Sequence, residues 1–209
     1  MGDAAARDAI ERWGDRAARL PFVRPHGAES LPVDINRRRI YVLPTGFGLF
    51  FAGLLGALLL GALNYNNNPG LVLGFLLVAI AHNSLVHAHL LLSGLRLAAV
   101  HAEPAHAGQT LTLRLRFENT SRRPRGRLEL LGEHDLTDVE LPAHSVTEAS
   151  LRLPATQRGW LPLGRLRLST RRPLGLARAW TWLRPDTRVL VYPALDPEAP
   201  PLPESLGDG

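Results

Sequence analysis

Residues 46–63 read GFGLFFAGLLGALLLGAL, and this stretch decides the architecture of the chain. A helix of this length rises about 27 Å, close to the thickness of the hydrocarbon core of a bilayer. The surrounding segment from Ile40 to Leu95 contains no Asp, Glu, Lys or Arg, although the chain has 24 basic and 19 acidic residues. A soluble segment of this length normally carries charges on its solvated face. The stretch therefore predicts a transmembrane helix over 46–63.

A second apolar run covers 71–92, after a polar turn at 64–70 that carries no charge. The polar residues of this run gather in its second half. Together the two runs predict a hairpin of two transmembrane helices within the segment 37–96. Because the first run begins about 45 residues into the chain, it is not typical of a cleavable signal peptide.

Small residues recur four positions apart along the first predicted helix, a spacing that lets another helix approach closely. The expected neighbour is the second helix, and a second copy of the chain, giving a homodimer, is the alternative. The residues of this helix-packing prediction are Ala52, Gly53, Gly56, Ala57 and Gly61.

Arginines flank the hairpin on its outer sides, whereas the turn between the two runs has none. Positive residues near the ends of transmembrane helices favour the cytoplasmic side. We therefore expect a multi-pass membrane protein with both termini in the cytoplasm. The topology-determining residues in this prediction are Arg37, Arg38, Arg39 and Arg96.

The segment 1–36 is polar and charged, but apolar residues recur within it at helical spacing. This pattern is typical of a short amphipathic helix lying on a membrane surface. A solvated helix or a disordered segment is the alternative, and the prolines that follow indicate a linker. The apolar residues are Ile10, Trp13, Ala17 and Leu20, surrounded by Arg7, Arg12, Arg16 and Arg19.

After the hairpin the sequence changes to short alternating runs separated by Gly, Pro and Asn. The clearest covers Thr110–Glu118, where large apolar residues alternate with Thr and Arg, as in a strand with one buried face. About seven such strands fit within 97–193, so we expect an immunoglobulin-like β-sandwich there. Residues 194–209 are rich in proline and are predicted to form a tail. Further strands are predicted around Leu128 and Leu130, and over Ser150–Leu153, Arg165–Ser169 and Val189–Tyr192.

Three histidines in the second run are the first candidates for chemistry. His82 and His89 share one helical face, and His87 is turned about 140° from the first. No carboxylate lies near them in the sequence, and His is common where a helix meets the headgroups. A structural role is therefore the leading interpretation, and metal or proton chemistry is the alternative.

Glu133, His134 and Asp135 are a second candidate, but adjacent residues of an extended chain point to opposite faces. We expect a loop there. The sequence has no nucleophile elbow, zinc-protease motif or phosphate-binding loop. Zero cysteines exclude disulfides, thiolate catalysis and cysteine-based metal sites. We therefore expect a protein that is not an enzyme, with no cofactor and no resident metal.

Two basic runs fit the net charge of +5. Solvated turns are the leading interpretation, and contact with lipid headgroups or an acidic protein partner is the alternative. Binding to single-stranded nucleic acid favours aromatic residues interleaved with the arginines, and these runs have none, so no nucleic-acid partner is expected. The runs are Arg122, Arg123, Arg125 and Arg127, then Arg171 and Arg172.

The stretch RRIYVLPTGFGL at 38–49, followed by the hairpin turn LNYNNNPG at 63–70, resembles the amino-terminal half of domain-of-unknown-function family 58 (DUF58). The later part of the chain, up to residue 193, is similar to the sandwich segment of that family. Two positions differ, because the family commonly has Asp where Arg172 precedes the proline, and Phe where Leu174 follows it. The motif residues are Arg158, Gly159, Trp160, Pro173, Leu174, Gly175, Leu176, Tyr192 and Pro193.

The resemblance implies a bacterial inner-membrane protein often encoded beside a MoxR-type AAA+ ATPase and a transglutaminase-like membrane protein. The family's further carboxy-terminal domain does not occur before Gly209, so we expect the anchor half of a longer protein or a truncated relative. The leading hypothesis is a non-enzymatic accessory or scaffold protein that docks such a cytoplasmic ATPase. The alternatives are an envelope binding module with a periplasmic sandwich and, third, a membrane metal-binding protein.

Overall fold

Two long helices and a mostly β domain make up the computed structural model, which describes residues 27–133 and 135–195. Helix α1 covers Gly46–Asn64 and helix α2 covers Asn68–Leu92, as the two apolar runs predict. Both are long and apolar enough to cross a membrane. The predicted amphipathic helix within 1–26 lies outside the described residues, as does most of the predicted tail.

Side chains cap the start of each helix. The Thr45 hydroxyl accepts a hydrogen bond from the Gly48 amide at 3.0 Å, and the Asn67 side chain accepts one from the Gly70 amide at 3.1 Å. These bonds satisfy amide groups that the first turn of a helix leaves without a partner. The polar turn between the two helices therefore also starts the second helix.

The two helices pack along a narrow seam. On α1 the buried residues are Gly48, Leu55 and Ala62, which lie seven residues apart on one stripe. Gly48 faces the Leu176 backbone of the β domain, whereas Ala62 lies against Gly70 at the start of α2. On α2 the seam includes Gly74, where an added Cβ atom would lie 2.4 Å from the Leu59 side chain. Because Gly74 has no side chain, Leu59 of α1 fits closely against α2.

The predicted small-residue face does not form this seam. At 100° per residue, Gly53, Ala57 and Gly61 lie on the side of α1 opposite Leu55. A Cβ atom at Gly53, Gly56 or Gly61 would meet no described atom within 4 Å. The expected packing against α2 is therefore not found at these glycines, because Leu59 and Ala62, on another face of α1, meet Gly74 and Gly70 of α2. Packing against a second copy stays a prediction.

Twelve strands form the β domain in the described part of the chain. The predicted alternating runs are all found as strands, with ends shifted by a few residues. The strands are β1 Val33–Ile35, β2 Tyr41–Pro44, β3 Leu95–Ala102, β4 Ala105–His106, β5 Thr110–Asn119, β6 Arg125–Leu131, β7 Leu136–Leu141, β8 Ser145–Pro154, β9 Gly159–Pro162, β10 Leu166–Thr170, β11 Ala177–Leu183 and β12 Arg188–Tyr192.

The strands are arranged in three sheets. A four-stranded antiparallel sheet has the order β1-β3-β5-β8, and a five-stranded antiparallel sheet has the order β2-β11-β10-β6-β7. A small third sheet has the order β4-β12-β9, with β4 and β12 parallel. The two larger sheets place leucines such as Leu115 and Leu168 in one hydrophobic core, so the domain is sandwich-like.

The β domain takes strands from both sides of the hairpin. Strand β1 pairs with β3, and β2 pairs with β11, so two segments that precede α1 close the edges of the two larger sheets. The boundaries drawn from the sequence at 36/37 and 96/97 therefore do not follow the strands. Ala88 and Leu92, at the end of α2, belong to the same core as the sheets, which joins the hairpin directly to the domain.

The register of the strands defines two opposite ends of the domain. At one end Leu95 faces both Ile35 and Asn119, Asn119 faces Ser145, and the helices leave the sheets. We call this the hairpin end, with loops 120–124, 142–144 and 171–176. We call the opposite one the far end, with loops 103–104, 107–109, 132–135, 155–158, 163–165 and 184–187.

Candidate functional site

At its junction with the β domain, α1 lies against the backbone of the loop 171–176. The Thr45 amide donates a hydrogen bond to the Leu176 carbonyl at 2.9 Å, and the Thr45 hydroxyl donates one to the Gly175 carbonyl at 2.6 Å. A Cβ atom added to Gly48 would lie 1.9 Å from the Leu176 carbonyl oxygen. Only glycine at position 48 therefore lets the loop 171–176 lie against the first turn of α1.

The end of α2 is held by one buried arginine. Arg125, at the start of β6, donates hydrogen bonds to the Leu90 carbonyl and, at 2.9 Å, to the Ser93 carbonyl. Carbonyl groups at the end of a helix otherwise lack partners, and a cation there complements the helix dipole. Burial, followed by repulsion from Arg123, lowers the pKa of Arg125. Sequence analysis grouped Arg125 with the solvated basic run, whereas it is buried.

A buried asparagine connects two loops of the hairpin end. The Asn119 side-chain amide donates to the Arg123 carbonyl at 3.0 Å and to the Pro142 carbonyl at 2.8 Å. Its side-chain oxygen accepts a hydrogen bond from the Ser121 hydroxyl at 2.7 Å. The position of the loop 120–124 is thereby fixed relative to the loop 142–144.

Arginines that are distant in the sequence meet at the hairpin end. The loops 120–124, 142–144 and 171–176 contain four arginines and no acidic residue. All four are exposed, and none forms an ion pair with another described residue. The structure thus brings together most of the two basic runs found in the sequence. These four residues, which we call the basic collar, are Arg122, Arg123, Arg171 and Arg172.

An open groove of about 470 Å³ leads from the collar along the five-stranded sheet. Two cations within or beside it are paired, because Arg127 binds Asp138 at 2.6 Å and Arg178 lies 3.4 Å from Glu129. Burial and repulsion from Arg171 lower the pKa of Arg178 to about 10, so it stays cationic at neutral pH. The lining residues are Arg127, Glu129, Leu136, Asp138, Thr170, Arg171 and Arg172.

The predicted topology-determining arginines have different surroundings. Arg37 and Arg38 are exposed in a single 3-10 turn, whereas Arg39 binds Glu29 at 2.7 Å and Arg96 lies 3.4 Å from Asp34. They lie beside β1, β2 and β3 and not in the loops of the collar.

The candidate histidines do not converge. On α2, His82 and His87 are exposed and His89 is partly buried. Among residues 27–133 and 135–195, no three His, Cys, Asp or Glu side chains are placed to hold one metal ion.

The acidic candidate lies in a turn at the far end. Asp135 accepts hydrogen bonds from the Leu136 and Arg152 amides, each at 2.9 Å, so its carboxylate holds the turn between β6 and β7. Glu133 is exposed on the same turn. The predicted loop is confirmed, and His134 lies outside the described residues.

The motif residues divide between the two ends. Pro173, Leu174, Gly175 and Leu176 form the loop that contacts α1, and Gly175 has a φ of +70°, which favours glycine. The others lie at the far end, where Trp160 is 65% exposed and Tyr192 is 43% exposed. The His106 ring lies beside that of Tyr192, with ring centres 5.7 Å apart and the planes tilted by 41°. Arg158, Gly159 and Pro193 border this exposed patch, which we call the aromatic patch.

Two features of the hairpin end were missed by sequence analysis. The roles of Thr45 and Gly48 depend on a loop about 130 residues away. Thr-Gly-Phe-Gly before an apolar run does signal a helix start, but not what the helix touches. Asn119 was counted as a turn residue, and nothing in its neighbourhood shows that it is buried.

The described fold defines a class, that of a long apolar helical hairpin joined to a sandwich-like β domain. No protein-family model matches the chain, and no curated protein matches it. The resemblance to domain-of-unknown-function family 58 therefore stays a prediction that rests on the motifs quoted above.

Proposed function

We propose that the chain is a membrane-anchored, non-enzymatic accessory protein of the bacterial inner membrane whose β domain docks a protein partner in the cytoplasm. One observation carries the membrane anchoring. The two helices leave the β domain from one end and turn large apolar side chains outward, with Phe50, Leu60 and Val72 each about 70% exposed. Exposed apolar surface of this extent needs lipid or another apolar partner.

The positions of the charges support cytoplasmic orientation. Arg37, Arg38 and the basic collar lie on the side of the hairpin that carries the β domain, whereas the connecting turn has no charge. Positive residues favour the cytoplasmic side. The two antiparallel sheets around one core also support the closer assignment to an immunoglobulin-like sandwich.

The aromatic patch is the surface we assign to the protein partner. It lies at the end of the domain away from the helices, where a soluble protein can approach. Trp160 and Tyr192 are of the residue types that contribute most to protein interfaces. The His106 ring is also within 2.8 Å of the Pro193 carbonyl, through Nδ1, which orders the patch before any partner binds. The family resemblance makes a MoxR-type AAA+ ATPase the partner to test.

A pull-down tests this function with the full chain in detergent as bait. The ATPase is offered with and without ATP to the unmodified chain, to Trp160→Ala and to Tyr65→Ala. Tyr65 is a matched control, because it is 82% exposed in the hairpin turn. We expect retention by the unmodified chain and the control, and retention at least about tenfold lower for Trp160→Ala, the loss typical of an interface anchor. No retention by the unmodified chain would remove the main support for ATPase docking.

A further inference from the structure

The basic collar lies beside the positions where both helices leave the β domain. Loop 171–176 touches the start of α1 through Thr45, and loop 120–124 leads into Arg125, which holds the end of α2. The collar arginines are therefore attached to the bases of both helices. If the helices are embedded in a bilayer, the collar lies at the level of the lipid headgroups.

The two ends of the domain differ in charge. The far-end loops contain three arginines, Arg158, Arg165 and Arg184, and four acidic residues, Glu103, Glu133, Asp135 and Asp186. Three positive and four negative charges give a net charge of −1, against +4 for the hairpin-end loops. The positive field is thus concentrated where a membrane surface would be, and an anionic surface is its complement.

The loop 171–176 also exposes an apolar residue beside its arginines. Leu174 is 48% exposed, and Arg171 and Arg172 precede it by three and two residues. This combination of a leucine with adjacent guanidinium groups suits the boundary between headgroups and acyl chains. A soluble acidic partner would complement the collar arginines, but it would not complement the apolar side chain of Leu174.

The groove gives two of the arginines a place to hold a phosphate. The third arginine that lines the groove, Arg127, is already paired with Asp138. Arg171 and Arg172 have no ion-pair partner among the residues that the structure describes, and Thr170 lines the same groove. The volume of about 470 Å³ lies within the range of small-molecule sites. A guanidinium group matches phosphate oxygens with two parallel hydrogen bonds.

We propose that the basic collar is a binding site for the headgroups of anionic phospholipids. Arg171 and Arg172 bind a lipid phosphate at the mouth of the groove, and Leu174 enters the acyl boundary beside it. Arg122 and Arg123 attract neighbouring headgroups on the side of α2. This site rests on the membrane anchoring proposed above and adds a preference for one class of lipid.

Native mass spectrometry of the full chain in detergent tests the site, with phosphatidylglycerol and phosphatidylcholine in competition. The double variant Arg171→Gln/Arg172→Gln is compared with Arg158→Gln/Arg165→Gln, which removes the same charge at the far end. Each basic residue near an anionic surface contributes about fivefold. We therefore expect roughly 25-fold weaker phosphatidylglycerol binding in the collar variant, and unchanged binding in the far-end variant.

Two outcomes would overturn the site. One is equal binding of the two lipids by the unmodified chain, which would leave an acidic protein as the ligand of the collar. The other is an equal loss of phosphatidylglycerol binding in both variants, which would mean that this binding depends on net charge alone. Thermal unfolding of both variants checks that they fold. Alkaline extraction of membranes separates the two proposals, because release of the unmodified chain would contradict the anchoring itself.

Discussion

The two ends of the β domain differ in how their loops are held and in the charges that the loops carry. At the hairpin end the loops are held by buried or capping groups, namely Asn119, Arg125 and Thr45, and they display only positive charge. At the far end the loops carry both signs of charge and leave Trp160 largely exposed. This difference supports the proposed division, in which the hairpin end fixes the domain to a membrane anchor and the far end binds a partner. Substitutions at the two ends test that division.

Gly48→Ala should have the largest effect. The new Cβ atom would lie 1.9 Å from a backbone oxygen of Leu176, so helix and loop must separate. We expect a loss of about 3 kcal/mol or more, since backbone cannot move as a side chain can. This lowers the unfolding temperature by roughly 6–12 °C for a chain of this size, measured by tryptophan fluorescence in detergent.

Gly53→Ala is the matched control, because it lies in the same helix with open space around it. Alanine is the better helix former, so this variant should be unchanged or slightly more stable. Equal effects of the two substitutions would show that the contact with Leu176 does not hold the hairpin end together.

Arg125→Met should have the next largest effect. It removes two charge-assisted hydrogen bonds and leaves the Leu90 and Ser93 carbonyls without their partner. We expect a loss of about 2–4 kcal/mol in the free energy of unfolding. Arg116→Met, on an exposed position of β5, should stay within about 0.5 kcal/mol. If both variants unfold at the same temperature, the capping role of Arg125 is wrong.

Asn119→Ala should follow, because it removes the bridge between two loops of the hairpin end. The Asn119 side chain is buried and satisfies the Arg123 and Pro142 carbonyls. We expect a loss of about 1–3 kcal/mol and faster proteolysis within 120–124. Thr112→Ala, exposed on the same strand, is the control. Unchanged cleavage would mean that the loop is held by other contacts.

Trp160→Ala should have the smallest effect on stability, within about 0.5 kcal/mol, because the side chain is 65% exposed. The same variant should lose the protein partner. A large drop in unfolding temperature would instead give Trp160 a structural role and would remove the distinction between the two ends.

The elements with strong periodicity were predictable from the sequence. The charge-free segment gave both helices, and the alternation over Thr110–Glu118 gave β5. Strands β1 and β2 were not predicted. Their sequences, Val-Asp-Ile and Tyr-Val-Leu-Pro, are too short to show the alternation of a strand. Their partners lie far along the chain, so no local signal marks them.

The candidate site was predictable in part. Both basic runs were visible, but their meeting at the hairpin end follows from the register of β6, β7 and β10, which a sequence alone does not give. The spacing of the small residues was also misleading. It shows which positions allow another helix to approach closely, but it does not show which helix lies there. The buried stripe of Gly48, Leu55 and Ala62 shows the same limit, because Gly48 meets Leu176, which lies far along the chain.

The accessibility of the two ends of the molecule from each side of the membrane tests the proposed transmembrane arrangement. The chain contains no cysteine, so Tyr65→Cys in the hairpin turn and Thr156→Cys at the far end each provide one labelling site. A maleimide that cannot cross the inner membrane is added to cells with a permeable outer membrane. We predict labelling of Tyr65→Cys in intact cells and of Thr156→Cys only after lysis. The reverse pattern would place the β domain in the periplasm, and labelling of both before lysis would contradict the transmembrane hairpin.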